Sequence, residues 1–168
     1  VIARSNLAVS HITLERFGVL FLWACVSLGH AEAPARAGVP DWNDDAIDWQ
    51  NYSNGLALAR ARALPAVLVF YADWCPTCHA YAQMFGDPSV VAASNDFVMI
   101  RVDADQAPKL NARYAFDGFY LPRVFVLGTD GEVAHDLYPR NQLFRYFIGA
   151  TRPERLVALM RGMRSREI

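Results

Sequence analysis

Ala66-Val67-Leu68-Val69-Phe70-Tyr71 and, two residues later, Trp74-Cys75-Pro76-Thr77-Cys78-His79 decide the fold. The first stretch is an unbroken apolar run of strand length and reads as a buried strand. The second places two cysteines, separated by two residues, where that strand gives way to a helix. Thiols so placed can close into a disulfide with little backbone movement. The attacking species in disulfide chemistry is the thiolate, and the unpaired N–H groups and aligned peptide dipoles of a helix N-terminus favour negative charge. Cys75 belongs at that terminus and Cys78 about one turn inside. Cys75 is therefore expected to be the exposed nucleophile, and Cys78 the resolving thiol that releases a mixed disulfide.

Three other readings compete for these residues. A structural zinc site needs four ligands, and the one further cysteine, Cys25, lies in a segment with the marks of an export signal. Cys75-x-x-Cys78-His79 also matches the attachment pattern of c-type haem. That pattern is short, and a strand-like run leading straight into it does not suit a mostly helical haem protein. A bridge placed for stability alone would close a loop of two residues and remove little unfolded-state entropy. No metal and no cofactor beyond a redox-active Cys75–Cys78 pair is expected.

The 168 residues suit one domain with an appendage, and 54% hydrophobic content is ample for a single core. A formal net charge of −1 and a pI near 6.5 provide no global attraction to nucleic acid or anionic membrane. Arg152, Arg155, Arg161, Arg164 and Arg166 read as the solvated face of a C-terminal helix. Residues 1–33 read as a signal peptide: Arg4 and Arg16 precede the apolar stretch 17–28, which is short for a membrane span, and small residues follow at Ala31 and Ala33. Alternatively the signal is that of a lipoprotein ending at Cys25, with bulky Trp23 standing where small residues are usual. Either way the expected location is exported, periplasmic or secreted, with membrane contact only through the signal or a lipid anchor. In such an oxidising compartment an idle reduced pair of cysteines is not expected.

Residues 34–41 turn to Ala, Pro and Gly and read as a linker, with the domain over 42–168. Trp42, Ile47, Trp49 and Tyr52 anchor a short strand-like piece; Ser53-Asn54-Gly55 precedes a helix over 56–63, which Leu64-Pro65 ends. After the strand at 66–71, the helix that starts at the motif carries Tyr81, Met84 and Phe85 toward the core. A brief helix over 89–93, a strand over 97–103, a helix over 105–114 and a strand over 124–127 follow. Thr129-Asp130-Gly131-Glu132 is a hairpin signal leading into 133–135. Residues 136–142 read as a polar insertion, 144–148 as an edge strand, and 153–164 as a final helix with Pro153 in its first turn. The order, βαβαβ followed by β and α, places the dithiol at the C-terminal end of a strand, where an open α/β sheet presents its chemistry.

With motif and order in place, residues 42 to about 165 resemble the thioredoxin superfamily. Phe70-Tyr71-Ala72-Asp73-Trp74-Cys75-x-x-Cys78 is similar to its active-site signature as written in the C-terminal domain of the DsbD proteins. Phe97-Val98-Met99, Tyr120-Leu121-Pro122-Arg123 and Tyr146-Phe147 resemble the small secreted branch that includes thioredoxin domain-containing protein 12 and the anterior gradient proteins. The resemblance implies an α/β thioredoxin-like fold, a central mixed β-sheet flanked by helices. It also implies thiol–disulfide exchange with cysteine-containing protein substrates and a cis peptide at Pro122. The backbone beside Leu121 and Pro122 would pair with an extended substrate segment, while Trp74, Asp73, Pro76, Thr77 and His79 support the dithiol.

A reducing role in an exported compartment would require a membrane redox relay partner. Pro76 resembles the oxidising DsbA type, His79 could steady a thiolate when protonated, and Asp73-Trp74 points instead to electron donors. The chain departs from the thioredoxins proper at Val69, which stands where they carry a buried acid, leaving Asp73 or water to take the proton of Cys78. A binding module or chaperone-like adaptor, with a dithiol that only tunes affinity, is the alternative function.

Overall fold

The computed structural model describes residues 40–167; the expected signal over 1–33, Cys25 within it and residues 34–39 of the expected linker lie outside the described residues. The elements in chain order are β1 (Trp49–Gln50), α1 (Tyr52–Arg62), β2 (Ala66–Tyr71), α2 (Pro76–Ala82), α3 (Pro88–Ser94), β3 (Val98–Asp103), α4 (Pro108–Arg113), β4 (Arg123–Leu127) and α5 (Pro153–Glu167). Short 3₁₀ turns follow α2 at Gln83–Gly86 and precede the last loop at His135–Leu137.

β2 is buried on both faces because it is central: the sheet order is β1-β3-β2-β4, with β3 parallel to β1 and β2, and β4 antiparallel to β2. A strand covered on both sides reads as a continuous apolar run. Its alternate residues feed two cores. Val67 and Val69 join Tyr81, Phe85, Val90 and the α5 residues Leu156 and Met160 on one face. Leu68 and Phe70 join Ala59, Ile100, Tyr114 and Tyr146 on the other. The result is a mixed α/β sheet flanked by helices, as expected. A mostly helical chain of the haem-attachment kind is thereby replaced by a sheet. Among the described residues no helix is long and apolar enough to cross a membrane.

Four local expectations need correction. α1 begins at Tyr52, since the Asn51 side chain caps it by accepting the Asn54 N–H, and Gly55 sits inside the helix. A Cβ at Gly55 would lie 2.4 Å from Ile100 Cγ1, so the glycine lets α1 settle onto β3. The 129–135 hairpin reduces to a single bridge, Leu127 with Val133. The 136–142 stretch is not simply polar, because Tyr138 is buried and its hydroxyl accepts the Val126 N–H at 2.7 Å. Finally, 144–148 is not a strand: Phe144 has φ 55°, and among the described residues one backbone hydrogen bond, Val124 N–H to Tyr146 O at 2.9 Å, links the segment to β4. A tyrosine hydroxyl, the Ala134 N–H on the Val126 carbonyl at 2.9 Å and one loop carbonyl thus cover the outer edge of β4 where a fifth strand was expected.

Candidate active site

The parallel pairing of β2 with β3 brings the loops after both strands to the same edge, and antiparallel β4 starts there: Phe70 pairs with Arg123. Cys75, which is in the first loop, therefore meets Leu121-Pro122, which enters β4. The Leu121–Pro122 peptide is cis, as the resemblance implied. Cys75 Sγ lies 4.0 Å from the Leu121 carbonyl oxygen.

Cys75 and Cys78 form a disulfide with Cα atoms 5.2 Å apart. Cys75 is the N-cap of α2, and its sulfur accepts the Cys78 N–H at 3.2 Å. Pro76 occupies the first turn, where its missing N–H goes unmissed. Pro76 and Thr77 are exposed and Cys78 is fully buried. The expectation of an exposed Cys75 needs qualifying, as the residue is only 5% exposed. It packs with Ala72 and Cys78 under Tyr71 and Leu121, which leaves a narrow approach to sulfur.

The supporting residues divide. Trp74 is 68% exposed, and its indole N–H donates to Asp105 Oδ2 at 2.6 Å. His79 turns its Nε2 onto the Asp73 carbonyl, so the ring braces the motif loop and is not hydrogen-bonded to sulfur. Asp73 is exposed. Val69 is fully buried in the apolar core, and among the described residues no carboxylate is buried with it. Tyr71 and Tyr81 are poor proton acceptors: burial pushes the Tyr71 hydroxyl above its ordinary range, against a partial counter-effect of Arg101, and burial holds Tyr81 well above it.

Three contributors were not anticipated. Asp105 orients Trp74; the parallel β2–β3 pair was the available signal, since the loop after β3 must emerge beside the motif. Arg123, fully buried next to Pro122, donates to the Tyr114 and Gly118 carbonyls at 2.9 and 3.2 Å and to the Asn111 side chain, with its guanidinium 5.1 Å from the Phe70 ring. It straps the loop before the cis-proline to the sheet. Asp117 accepts from the Tyr120 hydroxyl at 2.8 Å and from the Arg145 N–H at 2.6 Å. That joins two segments far apart in sequence, and no local pattern announces it.

Residues 48–129 match the family model described as thioredoxin-like. Anterior gradient protein 2 of Xenopus laevis is 31% identical over 115 residues, which span 62% of this chain and 57% of that protein. The thiol:disulfide interchange protein DsbD of Salmonella typhimurium is 34% identical over 79 residues, 45% of this chain and 14% of that protein. The chain thus spans little more than half of the first relative and a small part of the second. Among solved structures, a thioredoxin from Thermus thermophilus aligns with a TM-score of 0.55 at 21% identity, covering 73% of this chain and 90% of that one. At that identity the likeness speaks for the fold.

Proposed function

We propose, because residues 48–129 are a thioredoxin-like domain, that the chain is an exported thiol–disulfide oxidoreductase exchanging disulfides with cysteine-containing proteins through Cys75 and Cys78. The observation that supports this best is the setting of Cys75. Its sulfur faces a helix N–H at 3.2 Å, and the Leu121 carbonyl of the cis-proline loop lies 4.0 Å away. In the reducing direction the Cys75 thiolate attacks a substrate disulfide, forming the Cys75–substrate S–S bond and expelling one substrate sulfur as thiolate. Cys78 then gives its proton to water or Asp73 and attacks Cys75 Sγ. The second substrate sulfur leaves as thiolate, the substrate gains two electrons, and the Cys75–Cys78 disulfide is restored. Oxidation of a substrate dithiol runs the same steps backwards.

Export rests on the signal-like segment 1–33, with Cys25 as the lipid-bearing alternative. A membrane redox relay partner then resets the dithiol, since exported compartments lack the cytosolic reductants. The test is turnover: Cys75→Ser is expected to abolish insulin reduction and oxidative refolding of a reduced test protein. Normal turnover in Cys75→Ser overturns the assignment and favours the alternative, a binding module or chaperone-like adaptor.

A further inference from the structure

The segment over 137–148 is pinned to β4 at two points: the Tyr138 hydroxyl accepts the Val126 N–H at 2.7 Å, and the Tyr146 carbonyl accepts the Val124 N–H at 2.9 Å. Between this segment and α5 lies a cavity of about 270 Å³. Leu137, Tyr138, Phe147 and Leu159 are among its walls, and every other lining residue is apolar except Arg145 and Arg155. We propose that this cavity is a binding site for a small apolar monocarboxylate, its carboxylate held by Arg145 and Arg155 and its hydrocarbon body by the walls. None of these residues belongs to the dithiol site, and the inference does not rest on the oxidoreductase reading.

Charge decides the sign of the ligand. The ion pairs among the described residues are Arg101–Asp44 and Arg166–Asp136, so neither cavity arginine has a carboxylate partner there. The acids nearest in the chain are engaged or turned away. Asp117 accepts from the Arg145 N–H and the Tyr120 hydroxyl, and Asp136 accepts from Arg166. Glu154 directly precedes Arg155 on α5, a spacing at which helical side chains do not face each other. Arg145 is also fixed in place: its Nη2 donates to the His135 carbonyl, and its guanidinium lies 5.4 Å from the Tyr146 ring. Its Nε–H is buried and has no acceptor among the described residues. A buried donor left so is uncommon and costly. A carboxylate seated on the guanidinium supplies the missing acceptor.

Shape and size decide the class. A carboxylate offers two oxygens in one plane to the fork of a guanidinium. Beyond the two arginines the lining holds no further charged residue for the remaining oxygens of a phosphate, whereas its apolar walls suit a hydrocarbon body. The volume equals that of roughly nine waters, enough for a carboxylate on a chain or ring of about six to eight carbons. Arg155 and Ala158 are exposed, so the cavity opens beside them on the α5 side.

The test is calorimetric titration of the full chain with octanoate below its micelle concentration, set against octanol, acetate, inorganic phosphate and an acetylated Leu-Phe dipeptide with a free carboxylate. One octanoate is expected per chain, with each of the other four probes at least about tenfold weaker. Arg155→Ala removes an exposed guanidinium and should weaken octanoate about tenfold while leaving octanol unchanged. Ala158→Phe, a change at an exposed helix position that places a ring in the opening, should abolish octanoate binding; insulin reduction by either variant should match wild type. Absence of octanoate binding, or octanoate affinity unchanged in either variant, overturns the site. Octanol as tight as octanoate overturns the role of the arginines, and acetate or phosphate as tight would reduce the site to an anion on surface charge. Tighter binding by the dipeptide would assign the cavity to a polypeptide end and overturn the free acid as its occupant.

Discussion

Cys75 is held where its thiolate can be steadied. In the reduced protein the Cys78 N–H that meets its sulfur at 3.2 Å should bring its titration below the ordinary thiol value of about 8.5. Alkylation rate against pH in Cys78→Ser measures this, and a midpoint at or above that value would remove the reason for making Cys75 the nucleophile. Val69 poses the complementary question, for it is fully buried among apolar side chains. Val69→Asp places an acid there whose charged form the core disfavours, so its folded pKa is raised. Its destabilisation then grows as pH rises from the unfolded value toward the folded one, reaching about 3 kcal/mol. Urea unfolding at pH 4 and pH 7.5 should show the variant's deficit widening at the higher pH. Single-turnover reduction should speed up near neutrality if proton transfer from Cys78 limits the wild type. At this scale the dithiol was legible because spacing alone defines it. Asp105 and Asp117 were not, because an acid in a loop looks solvated until the fold brings Trp74 or Arg145 to it.

Arg123 sets the behaviour of the element beside it. Its buried guanidinium has no carboxylate partner among the described residues; backbone carbonyls of the 111–118 segment and the Phe70 ring surround it. Burial lowers its pKa, yet a guanidinium stays charged at any working pH. Arg123→Lys keeps a charge but loses the planar fork that spans two carbonyls and Asn111. We expect a loss of roughly 2–4 kcal/mol and faster amide exchange in residues 114–121. Unchanged stability and exchange would show that the strap is not needed. β2 and β4 were legible as continuous apolar runs of strand length, β3 by its alternation and α5 by its helical spacing. The boundary of α1 was missed because Asn51, not the Ser53-Asn54-Gly55 stretch, supplies the cap. The edge strand expected at 144–148 is absent because Phe144 turns the chain and Tyr146 and Ile148 pack into the core instead of continuing a ladder.

Across the whole molecule, two exposed carboxylates tie loops to helices. The side-chain and backbone hydrogen bonds from Ser89 hold Asp87 below its ordinary range, and a hydrogen bond from Arg166 does so for Asp136. Groups with depressed folded pKa values stabilise fully above the unfolded value, near 3.9, and lose that stabilisation as pH falls through the folded one. Asp87→Asn and Asp136→Asn should therefore flatten the fall in stability below pH 4, as read by urea midpoints between pH 5 and pH 2.5. A slope identical to wild type would show that neither group contributes. The βαβ order and the placement of the motif at a strand end were legible, since parallel α/β packing is dictated by apolar runs and helix punctuation. The pairing of the 117–121 and 143–147 loops was not, because it rests on one carboxylate and one hydroxyl acting across the fold. The central claim, that Cys75 attacks and Cys78 resolves, is tested most directly by trapping in extracts of the host cell. Cys78→Ser should accumulate proteins linked to Cys75 by disulfides that dithiothreitol releases, and Cys75→Ser should accumulate none; equal trapping by both variants, or trapping by Cys75→Ser alone, would contradict it.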